Sequence, residues 1–122
     1  MIRAVAIIAA LSLPAAAQAQ GWVNQRVAEL QALDKVTARV TTLRVPIGQP
    51  QSFGSLTITV RACNARPPDE VPDAAAWLAI TDSLAPANGA VVFQGWMFAN
   101  APGVHMLQHP VYDIRVLECR AS

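Results

Sequence analysis

Charge is scarce in this chain. Of 122 residues only nine are basic and eight acidic, and the formal net charge is +1. A near-neutral chain has no electrostatic footprint for nucleic acid or an anionic membrane surface. Cysteine is scarcer still, with only Cys63 and Cys119. Neither has a second cysteine two or three residues away, which argues against paired-thiolate metal sites and redox motifs. Beyond the N-terminal segment the serines are Ser52, Ser55, Ser83 and Ser122, and none sits in Gly-x-Ser-x-Gly, so no nucleophile elbow is written. Apolar runs are short. The most hydrophobic, Ala4–Leu13, falls well below the roughly 20 residues a membrane-spanning helix needs.

That run instead reads as the core of a secretory signal over residues 1–19. Arg3 supplies the basic start, Pro14 breaks the apolar helix, and Ala17-Gln18-Ala19 fits the small-x-small cleavage rule. Cleavage before Gln20 leaves about 103 residues with equal numbers of basic and acidic side chains. The residue directly after the cut is Gln20 and not cysteine, which argues against a lipid anchor. An exported chain meets an oxidising compartment, so the expectation for Cys63 and Cys119 is a disulfide. Closing a loop of more than fifty residues contributes roughly 4 kcal/mol in the chain-entropy model.

Residues 20–33 read as an N-terminal arm or short helix, since Val23, Val27, Leu30 and Leu33 recur near helical spacing. From residue 34 to 120 the texture is β, a single domain. Alternation over Val36–Leu43 predicts a strand, Gln51–Phe53 a brief one bent at Gly54, and Leu56–Cys63 the clearest one. In that last run Leu56, Ile58, Val60 and Ala62 share one face, while Cys63 shares the other with Thr57, Thr59 and Arg61. Ala74–Ile80 reads as strand on the strength of Trp77, Leu78 and Ile80. The runs Ala90–Ala99 and Val111–Cys119 flank a turn-rich connection and are expected to be core strands, the first of them central. By parity Cys119 lies with Asp113, Arg115 and Leu117, opposite Ile114 and Val116. The expected fold is all-β: a small antiparallel β-sandwich or partly open barrel of six to eight strands, with one disulfide and a short N-terminal helix at most.

Four segments in order, FGSLTITVRAC, RPPDE-x-P, VFQGWMFA and HPVYDIRVLEC, resemble the small secreted bacterial family catalogued as domain of unknown function 2155. The likeness runs from Leu33 to Cys119 and includes Asp34, Lys35, Phe53, Gly54, Trp96, His109 and Tyr112. It implies a Gram-negative periplasm or envelope and supplies no activity. The chain departs from the pattern at His105, where a small or amide residue is expected, and at Gln108, where an acid is expected.

The candidate functional residues fall into three groups. Arg66, Pro67, Pro68 and Glu70 form a stiff, charged loop suited to recognition, because rigid loops lose little entropy on binding. Trp96, Phe98, His109, Tyr112 and Asp113 form a pocket or core, with Trp96 and Phe98 read as packing. His105 and His109 are four apart, but Pro110 breaks the helix that would align them on a metal, so no metal or other cofactor is assigned. His109 with Asp113, or Glu70 with Asp113, would be the machinery of a hydrolase. The leading expectation is non-enzymatic: an exported structural or protein-interaction module of the envelope, one version being an accessory subunit on the outer face of an inner-membrane complex. A carbohydrate- or peptidoglycan-binding module is the alternative, and it requires an exposed aromatic such as Trp96.

Overall fold

A computed structural model describes residues 4, 21–86 and 90–122. The expected signal segment, Ala4 apart, and part of the Ser83–Ala90 turn lie outside them. Eight strands run in chain order: β1 (Val23–Asn24), β2 (Val27–Asp34), β3 (Arg39–Pro46), β4 (Gln51–Phe53), β5 (Leu56–Ala65), β6 (Ala74–Asp82), β7 (Ala90–Phe98) and β8 (Tyr112–Arg120). They form two antiparallel sheets packed as a sandwich. The larger has the order β1-β5-β6-β7, with β4 also paired to β5, and the smaller has the order β3-β2-β8. No helix occurs among the described residues, and neither sheet closes into a barrel.

The segment read as an N-terminal arm or short helix is therefore strand at Val23–Asn24 and again from Val27 on. In β2 the fully buried positions are Ala28, Leu30 and Ala32, a period of two. Two of the three are alanine, so the alternation was masked and the valines and leucines at 23, 27, 30 and 33 suggested a helical period instead. Pairing decides it: β2 takes hydrogen-bond partners on both sides, β3 and β8, and a helix would forfeit both ladders. The strand expected at Val36–Leu43 starts late, at Arg39. Residues 35–38 are the β2–β3 turn, closed by Asp34 Oδ1 accepting from the amides of Val36 and Thr37 at 2.9 and 3.2 Å. Ala38 ends that turn at φ +56°.

The core is aliphatic. Leu30, Leu56, Ile58, Val60, Leu78, Ile80 and Ile114 are buried from both sheets, and Phe93 is the one aromatic residue among the buried hydrophobic side chains. Cys63 of β5 and Cys119 of β8 are disulfide-bonded with Cα atoms 5.5 Å apart, tying sheet to sheet across this core. Simple alternation puts both cysteines on the wetter faces, and the structure corrects that. Arg61 is an extra residue in β5, since Val60 pairs Leu78 and Ala62 pairs Trp77. Leu117 is an extra residue in β8, since Val116 pairs Leu30 and Glu118 pairs Glu29. A β-bulge shifts parity by one residue, so each bulge, two residues before a cysteine, turns that cysteine inward.

β7 is not central but an edge strand. Its open side is covered by residues 99–111, which run from one pole of the sandwich to the other. At one end Asn100 donates from its amide to Asp73 Oδ1 and from Nδ2 to the Pro72 carbonyl. At mid-span His105 Nδ1 donates to the Trp96 carbonyl at 3.0 Å, its ring lying against Phe93. A side chain at Gly95 would put its Cβ 2.6 Å from that ring, so this crossing requires glycine. Leu107 then plugs into the core at 2% exposure. Covering an edge in this way blunts sheet-to-sheet aggregation.

Candidate functional site

The far end of the covering segment is anchored by His109. Its Nδ1 accepts the backbone amides of Val111 and Tyr112 at 3.0 and 3.1 Å. The remaining ring hydrogen is therefore on Nε2, which donates to Asp82 Oδ2 at 2.7 Å. The His109 carbonyl in turn accepts from Lys35 Nζ at 2.8 Å. Asp82 closes β6 and is buried at 6% exposure. Its pKa is lowered to about 2, first by the His109 hydrogen bond, then by Ser55 and the Leu84 amide. Tyr112 packs edge-on to Phe53 with ring centroids 5.5 Å apart. Its hydroxyl lies where a Cβ at Gly54 (φ +57°) would have to go.

This arrangement answers the acid–base expectation. The acidic partner of His109 is Asp82, not Asp113, and the sequence offered no local signal for it because the two are 27 residues apart. Both ring nitrogens are engaged, so His109 has no lone pair aimed at a substrate. The cleft beside it, about 540 Å³ and lined by Leu84, Val92, Gln108 and Tyr112 among others, is mostly apolar. Asp113 opens on a different cavity of about 230 Å³, shared with Met97, His105 and Met106. Glu70 opens on a third, beside Arg66, Pro67 and Pro68. The carboxylates of Glu70 and Asp113 thus line different cavities. His105 and His109 do not converge either, the one bonded to β7 and the other to β6. Among the described residues no three His, Cys, Asp or Glu side chains are grouped to hold a metal.

The aromatic residues make the less expected surface. Directly paired residues of antiparallel strands share a face. Ala62, Trp77 and Trp96 are such a row, and Asn64, Ala75 and Phe98 are the next. Both rows lie on the outer face of the five-stranded sheet, opposite the buried Leu78 and Ala76. Trp96 is 38% exposed, which corrects its assignment to the core, and Phe98 and Trp77 are half-buried. Trp22, just before β1, joins them. With Asn64, Ala75, Trp96 and Phe98 it lines a shallow groove of about 250 Å³. Arg66 lies 3.9 Å over the Trp22 ring, and Arg61, the β5 bulge residue, lies 5.9 Å from the Trp77 ring. All three tryptophans of the chain are therefore on one outer face. The stiff loop borders it: the Arg66 amide donates to the Asp73 carbonyl and the Glu70 amide to the Pro67 carbonyl.

Comparison with known proteins bears on both surfaces. A bacterial family described as "Uncharacterized protein conserved in bacteria (DUF2155)" matches residues 28–119. The chain belongs to the DUF2155 family. It is also 28% identical over 90 residues to "Uncharacterized protein RP359" of Rickettsia prowazekii (strain Madrid E), covering 72% of this chain and 57% of that one. The chain thus spans little more than half of that relative's length. No solved structure matches. Within the DUF2155 region lie the disulfide, the bulges at Arg61 and Leu117, the Arg66–Glu70 loop, Trp77, Trp96 and the His109 anchor, whereas Trp22 precedes it. Five of the residues that carried the resemblance gather at one pole: Lys35 on His109, His109 beside Tyr112, Tyr112 against Phe53 and Gly54. Every one of these contacts holds chain to chain, so this pole of the DUF2155 fold is an architectural lock.

The bridge between Cys63 and Cys119 is the signature of an oxidising, non-cytoplasmic environment. No helix among the described residues is long and apolar enough to cross a membrane.

Proposed function

We propose that this chain is an exported binding module of the bacterial envelope, and that its contact surface is the outer face of the five-stranded sheet with the adjoining Asn64–Asp73 loop. One observation carries the reading: all three tryptophans lie on this face and none is in the core. Contiguous exposed aromatic surface is uncommon on proteins that act alone and marks interaction sites. The disulfide supports export to the periplasm. The engagement of both His109 nitrogens favours binding over hydrolysis. An accessory role on the outer face of an inner-membrane complex is one form of the proposal, with the Asn100–Pro110 segment at the border of the contact, where it is already fastened to Asp73.

The test is retention of the tagged, oxidised protein on detergent-solubilised envelope. Wild type is expected to be retained, and the Trp77→Ala/Trp96→Ala double variant, with unchanged circular dichroism, to be lost from it. Equal retention of the two would refute the assignment of the face.

A further inference from the structure

We propose that the outer aromatic face takes an extended glycan, with one sugar ring seated between Trp22, Trp96 and Phe98 over Ala75, and that it favours chains carrying carboxylates. The inference rests on the binding reading above and adds the ligand's chemistry. Three features of the face support it.

The first is its mixture of groups. The outward positions of β5 to β7 interleave rings with neutral hydrogen-bonding side chains: Thr57 pairs Thr81, and Gln94 sits between Val91 and Trp96 on the same face. A sugar presents an apolar C–H face to an aromatic ring, whose π surface is negative, and hydroxyls at its rim. Rings set among threonine, glutamine and asparagine match both at once, whereas the centre of a protein–protein patch is more uniformly apolar. The second is size. About 250 Å³ is below the roughly 300–1,000 Å³ of clefts that enclose a whole small ligand. The groove also has a flat floor, because Ala75 contributes only a methyl group. It suits one ring of a chain that continues across the sheet over Trp96 towards Trp77. The third is charge. No Asp or Glu occupies an outward position of these three strands, while exposed Arg61 stands beside Trp77. A chain running that way places a carboxylate near a guanidinium, and no carboxylate on this face repels it.

The experiment titrates the oxidised protein with chitohexaose, a neutral glycan, and with hexagalacturonate, an acidic one, by tryptophan fluorescence and calorimetry. Both are expected to bind, the acidic chain about 3–10-fold more tightly at low salt. That difference should shrink as salt shortens the Debye length to roughly 3 Å at 1 M. Trp96→Ala should weaken both at least tenfold. Arg61→Gln should abolish the acidic preference and leave chitohexaose binding unchanged. Absence of any signal with either chain, or affinity indifferent to Trp96→Ala in a variant of unchanged melting temperature, overturns the proposal. If both glycans fail while the Trp77/Trp96 double variant still loses envelope retention, the face binds protein and only the glycan assignment falls. If retention is also indifferent, the face itself is wrong.

Discussion

A single imidazole holds together three segments far apart in the chain. His109 joins the end of the β7–β8 connection to Asp82 at the end of β6, and through its carbonyl to Lys35 in the β2–β3 turn. Its Nδ1 meanwhile satisfies the two amides that open β8. Replacing it by alanine leaves those two donors without their acceptor, and a buried donor left unmade costs about 1–3 kcal/mol. His109→Ala is therefore expected to lower unfolding free energy by about 2–3 kcal/mol in denaturant titration. The same node gives the fold a pH signature. The Asp82 carboxyl is lowered from 3.8 to about 2 by its His109, Ser55 and Leu84 hydrogen bonds, so the folded state favours the charged form. That contribution is complete above the unfolded value near 3.8 and is lost as pH falls towards 2. Melting temperature measured from pH 6 down to 2 should drop across this window in wild type, with a shallower fall in Asp82→Asn. None of this was legible beforehand. His109 stood out as a titratable residue beside Pro110, but its partner lay 27 residues away, in a segment read only as strand followed by turn.

At the scale of strands, alternation gave reliable locations and unreliable faces. β4, β5, β6 and β8 are where the β-branched and aromatic runs predicted them, because those side chains suit a pleated, half-buried surface. What periodicity could not reveal is an extra residue, and Arg61 and Leu117 both escaped it. The consequence is testable. Deleting Arg61 removes the bulge but keeps the pairings of Val60 with Leu78, Ala62 with Trp77 and Cys63 with Ala76. The deletion variant is expected to fold with its disulfide closed, so alkylation before mass spectrometry should add no label. In an unbulged strand the same deletion would turn Cys63 away from Cys119 and leave two reactive thiols. The bridge spans a sequence separation of 56 residues, for which the chain-entropy model gives roughly 4 kcal/mol. Reductant should accordingly lower the melting temperature of wild type and of the deletion variant alike.

For the whole molecule, the division of labour between aliphatic and aromatic residues differs from what composition suggested. Strands this apolar invite the assumption that tryptophan fills the interior. Instead two sheets of leucine, isoleucine, valine and alanine close on each other with Phe93 as the buried ring, and the tryptophans are left outside. Alanines at 28, 32, 74 and 76 permit this. Small inward side chains bring the sheets close, leaving little room between them for an indole. The energetic contrast follows directly. Leu78, with no exposure, should lose about 2–5 kcal/mol on truncation to alanine, the usual cost of a buried cavity. Trp96 is 38% exposed, and its truncation should cost about 1 kcal/mol or less, within the ordinary range for surface substitutions. Acrylamide quenching provides the second readout. Emission from Trp96 should be quenched efficiently in the folded protein and that from half-buried Trp22 and Trp77 partly, whereas a core tryptophan would be shielded until the protein unfolds. A loss of several kcal/mol in Trp96→Ala together with a shielded emission would return the aromatic face to the interior and remove the surface on which the proposed function depends.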